Sequence, residues 1–262
     1  MYWILLSVLY IAANIYLVNY FSTNQYVICN LTFLMMMLLL LLSSLSMSNN
    51  TNKIVIRNAC RKDISEIVAI QRKSFPEVAT GMISEPTFFE DHIKLFQQGQ
   101  FCAELNGRIV GSASSLIVSL IPEYLDHTWY EIVGNRNIIT SHDPKGDSLY
   151  GDDICVHPNF RRLGIATMLF NARKELAVRL NLKRVIAGAR LYNYCEYADK
   201  ISPHEYADKV AKCEIQDPVL SFDLKNGFKY IKIITDYICD SRSLNYAAFI
   251  EWLNPNYHPN RI

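Results

Sequence analysis

Ile154-Cys-Val-His-Pro-Asn-Phe-Arg-Arg-Leu-Gly-Ile-Ala-Thr-Met-Leu169 decides the fold. A β-rich run ends at Val156, Pro158 stops it, and a basic turn containing Gly164 follows at Arg161–Ala166. Ile165, Leu169, Ala172, Leu176 and Leu180 then recur at spacings of three and four, the period of an amphipathic helix. Strand, basic glycine turn and helix start together suit a phosphate. The first-turn N–H groups of a helix have no partner within it, and its dipole favours an anion there. Gly164 lets the backbone come close because no Cβ intervenes. The segment is therefore predicted to grip a phosphorylated cofactor.

Outward from this point, Ser148–Val156 reads as the motif strand and Arg162–Leu180 as the motif helix. Arg184–Ala189 reads as a strand parallel to the first through a βαβ crossover. Upstream, Lys53–Arg57 is a short strand, and Asp63-Ile-Ser-Glu66 has the capping-box pattern opening a helix to Ser74. A second helix spans Pro86 to Gln98. Asn106-Gly107, between the apolar runs Phe101–Leu105 and Arg108–Val118, predicts a tight hairpin. Residues 121–147 show no clear period and read as a long insertion over a binding site. Downstream, 190–216 is polar and tyrosine-rich, with a helix from Pro203 to Lys212. A short helix at Pro218–Lys225 and strands at Phe228–Tyr237 and Asn245–Leu253 complete the chain. The order predicts a mixed α/β (α+β) fold with a mostly antiparallel sheet around a central βαβ unit.

The 262 residues carry a formal net charge of +1, which argues against a general nucleic-acid binder. No charged side chain precedes Lys53. Residues 1–46 hold two apolar runs, Met1–Phe21 and Tyr26–Leu45, each near the ~20 residues that span a bilayer. Lys53, Arg57, Arg61 and Lys62 beyond them would keep the remainder in the cytoplasm. One expectation is thus a membrane anchor of one or two helices at 1–46, with a domain at 47–262. The rival expectation takes Met47, which opens a polar Met-Ser-Asn-Asn-Thr-Asn-Lys, as the working start and 1–46 as a spurious extension. In that case the protein is soluble. The seven cysteines lack metal-site spacing, so no metal is expected and reduced thiols are the simplest reading. Cys155 reads as an ordinary strand residue.

The turn Arg161-Arg-Leu-Gly164-Ile-Ala166 resembles motif A of the GNAT (Gcn5-related) N-acetyltransferase superfamily, [Gln/Arg]-x-x-Gly-x-[Gly/Ala]. Phe222-Asp-Leu-Lys-Asn-Gly227-Phe228 is similar to that family's Phe-Tyr-x-x-x-Gly-Phe segment. Gly188–Tyr194, Asp217–Phe222 and Tyr246–Trp252 look closer still to the acetyltransferase half of proteins that fuse such a domain to a carbon–nitrogen hydrolase. No amidase activity is carried over from those relatives.

The resemblance implies a GNAT acyl-CoA N-acyltransferase fold that transfers an acetyl group from acetyl-CoA to an amine by direct attack in a ternary complex. Backbone amides from Arg161 through Arg162, Leu163, Gly164, Ile165 and Ala166 to Thr167 would cradle the pyrophosphate. The Arg161 and Arg162 side chains would add charge. Ile154 and Val156 would pair with the pantetheine arm, and an amide there would polarise the thioester carbonyl.

An alkylammonium of pKa ~10.4 must lose a proton before it attacks. Asp152 and Asp153 flank the site, and strand alternation lets only one of them face it. Where the family carries a tyrosine as proton donor, this chain has Asp223, which as an ordinary carboxylate is ionised and a poor donor. Either one of Tyr192, Tyr194 and Tyr197 is then the acid, or the thiolate leaves unaided. His157 reads as a turn residue. The acceptor is expected to be a small-molecule or exposed protein amine. Two other functions compete: a catalytically weak acyl-CoA sensor module, and a membrane-anchored interaction protein.

Overall fold

The structure, a computed structural model, describes residues 2–20, 33–39, 53–76, 85–135 and 137–259. These divide into two compact units, Met1–Asn52 and Lys53–Ile262. The first contains the apolar helix Tyr2–Tyr20. Among the described residues, no helix is long and apolar enough to cross a membrane. The expectation of membrane helices in 1–46 therefore finds no support, and most of the second run, Tyr26–Leu45, lies outside the described residues.

The second unit is built on a seven-stranded sheet with spatial order β1-β2-β3-β4-β5-β7-β6. The strands are β1 (Ile54–Asn58), β2 (Phe101–Leu105), β3 (Arg108–Val118), β4 (Ser148–Val156), β5 (Arg184–Arg190), β6 (Lys229–Ile234) and β7 (Ala247–Leu253). All neighbours are antiparallel except β4 and β5. That one parallel pair is joined by a crossover helix, as a parallel connection requires. The β2–β3 hairpin turns on Asn106 and Gly107, both with positive φ (53° and 77°), the geometry that Asn-Gly favours.

Helices α1 (Ile64–Ser74) and α2 (Pro86–Phe96) cover one face, followed in chain order by the short α3 (Trp129–Ile132) and α4 (Ile138–Ser141). Their core gathers Ile67, Ile70, Phe88, Phe89 and Trp129 against Leu116, Tyr150 and Phe249 of the sheet. Helices α5 (Ile165–Arg179), α6 (Pro203–Ala211) and α7 (Leu220–Lys225) supply the other face. There Leu169, Phe170, Leu176, Val210 and Leu220 meet Leu149, Val185 and Ile250. Two-sided burial explains why β3 and β5 read as nearly continuous apolar runs.

The capping box expected at Asp63–Glu66 is not formed. Asp63 instead holds Arg57 through two bonds of 2.7 and 2.9 Å, and Glu66 accepts from the Ile109 amide at 3.0 Å. A half-buried guanidinium partner outcompeted the local cap, and Arg57 holds the Asp63 carboxyl well below the usual carboxylate range.

A bulge splits the sheet at its centre. Ser114 faces Asp153 across β3–β4, yet Ser115 faces Gly151, so Asp152 is one residue in excess. Such an insertion bends its strand. β4 pairs with β5 only from Ser148 to Tyr150, against Arg184 to Ile186. Arg184 pins this closed end, donating to Ser148 Oγ at 2.8 Å and to Glu251 at 2.9 Å. Beyond Tyr150 the two strands diverge.

Candidate active site

The divergence opens a cleft of about 700 Å³. Its walls come from both faces of the sheet: Ser74, Phe75, Trp129 and Tyr237 on the α1 side, and Ile165, Phe170 and Phe222 on the α5 side. It is a passage through the sheet, so two molecules can approach one point from opposite sides.

The α5 mouth is the glycine turn. Gly164 is the N-cap of α5 with φ +76°, and Arg162 also has positive φ (65°). The first backbone bond of the helix runs from Met168 N to Gly164 O. The amides of Ile165, Ala166 and Thr167 lie ahead of it and have no partner within the helix. A Cβ on Gly164 would meet nothing within 4 Å, so any side chain there would project into space an anion needs. Arg161, Arg162, Gly164, Ile165, Ala166 and Thr167 all line the cleft. Leu163 does not: its side chain is exposed, and only its backbone belongs to the turn. This is a cradle fitted to a pyrophosphate. Gly164→Glu is expected to weaken CoA binding at least a hundredfold, since a carboxylate would displace the phosphate and an L-residue is strained at this φ. Calorimetric titration reads the change, and an unaltered affinity would remove the turn from the cofactor site.

Ile154 and Val156 line the cleft as well. His157 N donates to Val110 O at 2.9 Å, which makes Gly111 and Val156 a non-hydrogen-bonded pair. The N–H and C=O of Val156, and by the two-residue period those of Ile154, therefore point away from β3 into the divergence. The Val156 carbonyl already accepts from Ser74 Oγ at 3.1 Å. The remaining strand edge is open to an extended ligand.

At the apex lie Asp152 and Asp153. Alternation would send them to opposite faces, but the bulge interrupts it. Asp153 Oδ2 and both carboxylate oxygens of Asp152 are buried without a hydrogen-bond partner among the described residues. Burial pushes Asp152 up to about 7, with the Asp153 charge adding to it and Arg173 opposing. Burial likewise raises Asp153 to about 6, against the pull of Arg173. The pair is poised to titrate near neutrality.

Arg173 explains how the bulge is tolerated. It rises from α5, 1 % exposed, and packs its guanidinium where a Cβ on Gly151 would lie 2.8 Å from Nη1. Nε donates to Ser115 Oγ at 3.0 Å, and Nη2 donates to the carbonyls of Ser114 and Asp153. These groups flank the irregular register, so the side chain completes the ladder that the extra residue breaks. Asp152, Asp153 and Asp223 hold it cationic against the cost of burial.

Asp223 departs from the sequence expectation. It is 5 % exposed, lines the cleft, and is raised well above the usual carboxylate range by burial and by the nearby Asp217. Asp217 is itself occupied, accepting from the Val219 and Leu220 amides and from Tyr206 Oη, each at 2.8 Å. A protonated Asp223 carboxyl can donate. Of the tyrosines proposed from sequence, Tyr192 lines the cleft beneath the Arg190 and Arg242 guanidiniums. Tyr194 is placed elsewhere: it is buried against Tyr206 and Tyr246, outside the cleft lining, and its hydroxyl donates to Ile201 O at 3.2 Å. Tyr197 packs against Tyr206. Sequence reading missed Arg173 and Tyr237, and the long gap to Tyr237 gave no local signal.

A strand-edge slot ending at a helix-start phosphate cradle defines an acyl-CoA-binding transferase fold. The chain belongs to the acetyltransferase (GNAT) family, whose model matches residues 64–194. It is 43 % identical over 220 residues to "Probable hydrolase YhcX" of Bacillus subtilis (strain 168). The match covers 82 % of this chain and 41 % of that relative, so the chain spans well under half of it. It is also 38 % identical to "Uncharacterized N-acetyltransferase YkwB" of the same organism, covering 78 % of this chain and 90 % of the other. Among solved structures, the loading GNATL domain of CurA from Lyngbya majuscula superposes with TM-score 0.67 at 18 % identity, over 78 % of this chain and 98 % of that one. The likeness to the acetyltransferase half of hydrolase fusions agrees with the first relative.

Proposed function

We propose that the domain from Met47 to Ile262 acetylates a primary amine, of a small molecule or an exposed protein group, by direct attack in a ternary complex at Asp152. The through-sheet cleft with orphaned carboxylate oxygens at its apex carries this reading. Buried carboxylates without partners call for a cation, and an alkylammonium entering from the α1 side supplies one. Acetyl-CoA, when bound, supplies an activated thioester.

The chain's own residues do the rest. The turn Arg161–Thr167 holds the phosphates, and the Ile154 and Val156 backbone aligns the arm. Asp153 and Asp152 seat the ammonium, and Asp152 accepts a proton from its nitrogen, being matched to neutral pH. Asp223 holds a proton for the departing sulfur, the role that the sequence had left to Tyr192, Tyr194 or Tyr197, or to no group at all. Asp223→Asn, which keeps the shape and loses the proton, is expected to lower kcat about tenfold to a hundredfold with little change in KM for acetyl-CoA. An unchanged kcat would show that the thiolate leaves unaided.

The direct test is acetyl-CoA titration into the full chain, followed by free-thiol release with a panel of amines. Binding with amine-dependent release supports the reading. Binding with no release from any amine would replace it with a sensor.

A further inference from the structure

A chain of buried hydrogen bonds leaves the cleft on its α1 side, beginning beside Asp152. Tyr237, which lines the cleft, bonds through its hydroxyl to that of Tyr150 at 2.9 Å. Tyr150 Oη lies 3.1 Å from His127 Nε2. His127 Nδ1 lies 2.9 Å from the Leu125 carbonyl, which can only accept, so Nδ1 carries the proton and Nε2 is the acceptor. This fixes the direction of every bond. Tyr150 donates to His127, and Tyr237 donates to Tyr150.

The cleft end is held in place. Trp129 Nε1 donates to Asp152 O at 2.9 Å, and Trp129 N donates to Tyr237 O at 2.7 Å, so one residue ties the phenol to the apex of the site. A Cβ on Gly188 would lie 2.6 Å from Tyr237 Oη. The glycine therefore lets the hydroxyl stand in the divergence of β4 and β5. Tyr150, the middle member, is fully enclosed, and His127 at the far end is 7 % exposed in the loop before α3.

Stoichiometry demands such an outlet. The acceptor enters as an ammonium with three N–H hydrogens, and the amide keeps one. A second balances the proton that Asp223 gives to sulfur, passing through Asp152. The third is released to solvent, and the hydrogen-bonded chain offers it a route that does not cross either substrate.

We propose that Tyr237, Tyr150 and His127 form a relay that carries this proton from the acceptor nitrogen to the surface. The N–H bond of the ammonium breaks as a bond to Tyr237 Oη forms. The Tyr237 proton passes to Tyr150 Oη, and the Tyr150 proton to His127 Nε2, leaving both phenols neutral and an imidazolium at the end. His127 then releases its Nδ1 proton to water at the loop before α3, and proton exchange of the imidazole with solvent together with rotation of the two hydroxyls restores the resting bonds.

Burial raises both phenols, so neither rests as a phenolate and they pass protons only in concert. Burial lowers the His127 imidazole, with Lys232 acting in the same direction and the Leu125 carbonyl, Glu131 and Asp126 opposing. It is therefore neutral and accepting at pH 7, and readily gives up a proton once charged. Tyr150 and His127 are positioning residues acting through Tyr237.

The proposal rests on the amine-acetylation reading, and its test separates the two. Full-length Tyr150→Phe and His127→Ala are assayed for thiol release with an accepted amine from pH 6 to 10. The relay predicts at least a tenfold loss of kcat at pH 7. The loss should shrink to under twofold as pH nears the amine pKa, because the acceptor then arrives deprotonated. Added imidazole should restore His127→Ala at pH 7. A loss equal at every pH in a folded variant, or no loss at pH 7, overturns the relay and leaves the acetyltransferase reading intact. A wild type that binds acetyl-CoA and acetylates no amine overturns both.

Discussion

Arg173→Met is expected to lower the unfolding free energy by about 3–5 kcal/mol, the usual cost of removing one partner from a buried charge cluster. Methionine fills similar space, so lost volume is not the cause. The guanidinium serves three polar groups around the bulge, Ser115 Oγ and the carbonyls of Ser114 and Asp153, and counters Asp152, Asp153 and Asp223. Without it, Ser115 Oγ and the two carbonyls lose a charged donor, and of the three carboxyls Asp153 alone keeps a cation, Arg190, acting on it. All three should then shift further toward the protonated form, so the destabilisation should be larger at pH 8 than at pH 5. Urea denaturation at both values checks this. Equal stability of variant and wild type at pH 8 would mean that the bulge stands without its plug.

Asp152→Asn should separate stability from catalysis. The folded-state pKa of about 7 lies above the ordinary 3.8. A carboxyl raised in this way contributes its stability fully below its unfolded value, and that contribution is lost as pH rises through 7. The wild type thus carries a penalty at pH 8 that the amide avoids. The variant should melt several degrees higher at pH 8 and no higher at pH 4, while kcat falls about a thousandfold because the proposed base is gone and Asp153, raised less, is left to seat the ammonium. Thermal melts at the two pH values and a thiol-release assay read both effects. A variant that keeps its rate would pass the base role to Asp153.

The parts of this fold legible in the sequence are those set by local chemistry. The Asn106-Gly107 hairpin, the Ser148–Val156 strand and the helix after Gly164 each follow from residues within a few positions of one another. The phosphate turn belongs with them, because a helix start is a local object.

What the sequence did not disclose is non-local. Alternation separated Asp152 from Asp153, but their faces are set by β3, whose register slips between Ser114 and Ser115. Asp223 looked like an ionised carboxylate because nothing near it in sequence shows its burial beside Asp217 and Arg173. Tyr194 looked as available as Tyr192, yet the Tyr206 and Tyr246 rings enclose it. Asp63 followed the cap pattern while the fold gave it to Arg57.

The extra residue at Asp152 also bears on how such a protein can change over time. Deleting three nucleotides there would restore an unbroken ladder between β3 and β4, and a straightened β4 would continue alongside β5. The open edge of β4 would close in the same event that removed the proposed base. Insertions and deletions in the 121–147 segment alter the walls by degrees, whereas a deletion at this position takes the carboxylate and the bulge in one step. A lineage can drift in what it acetylates, but a loss of this codon discards the chemistry and the passage together.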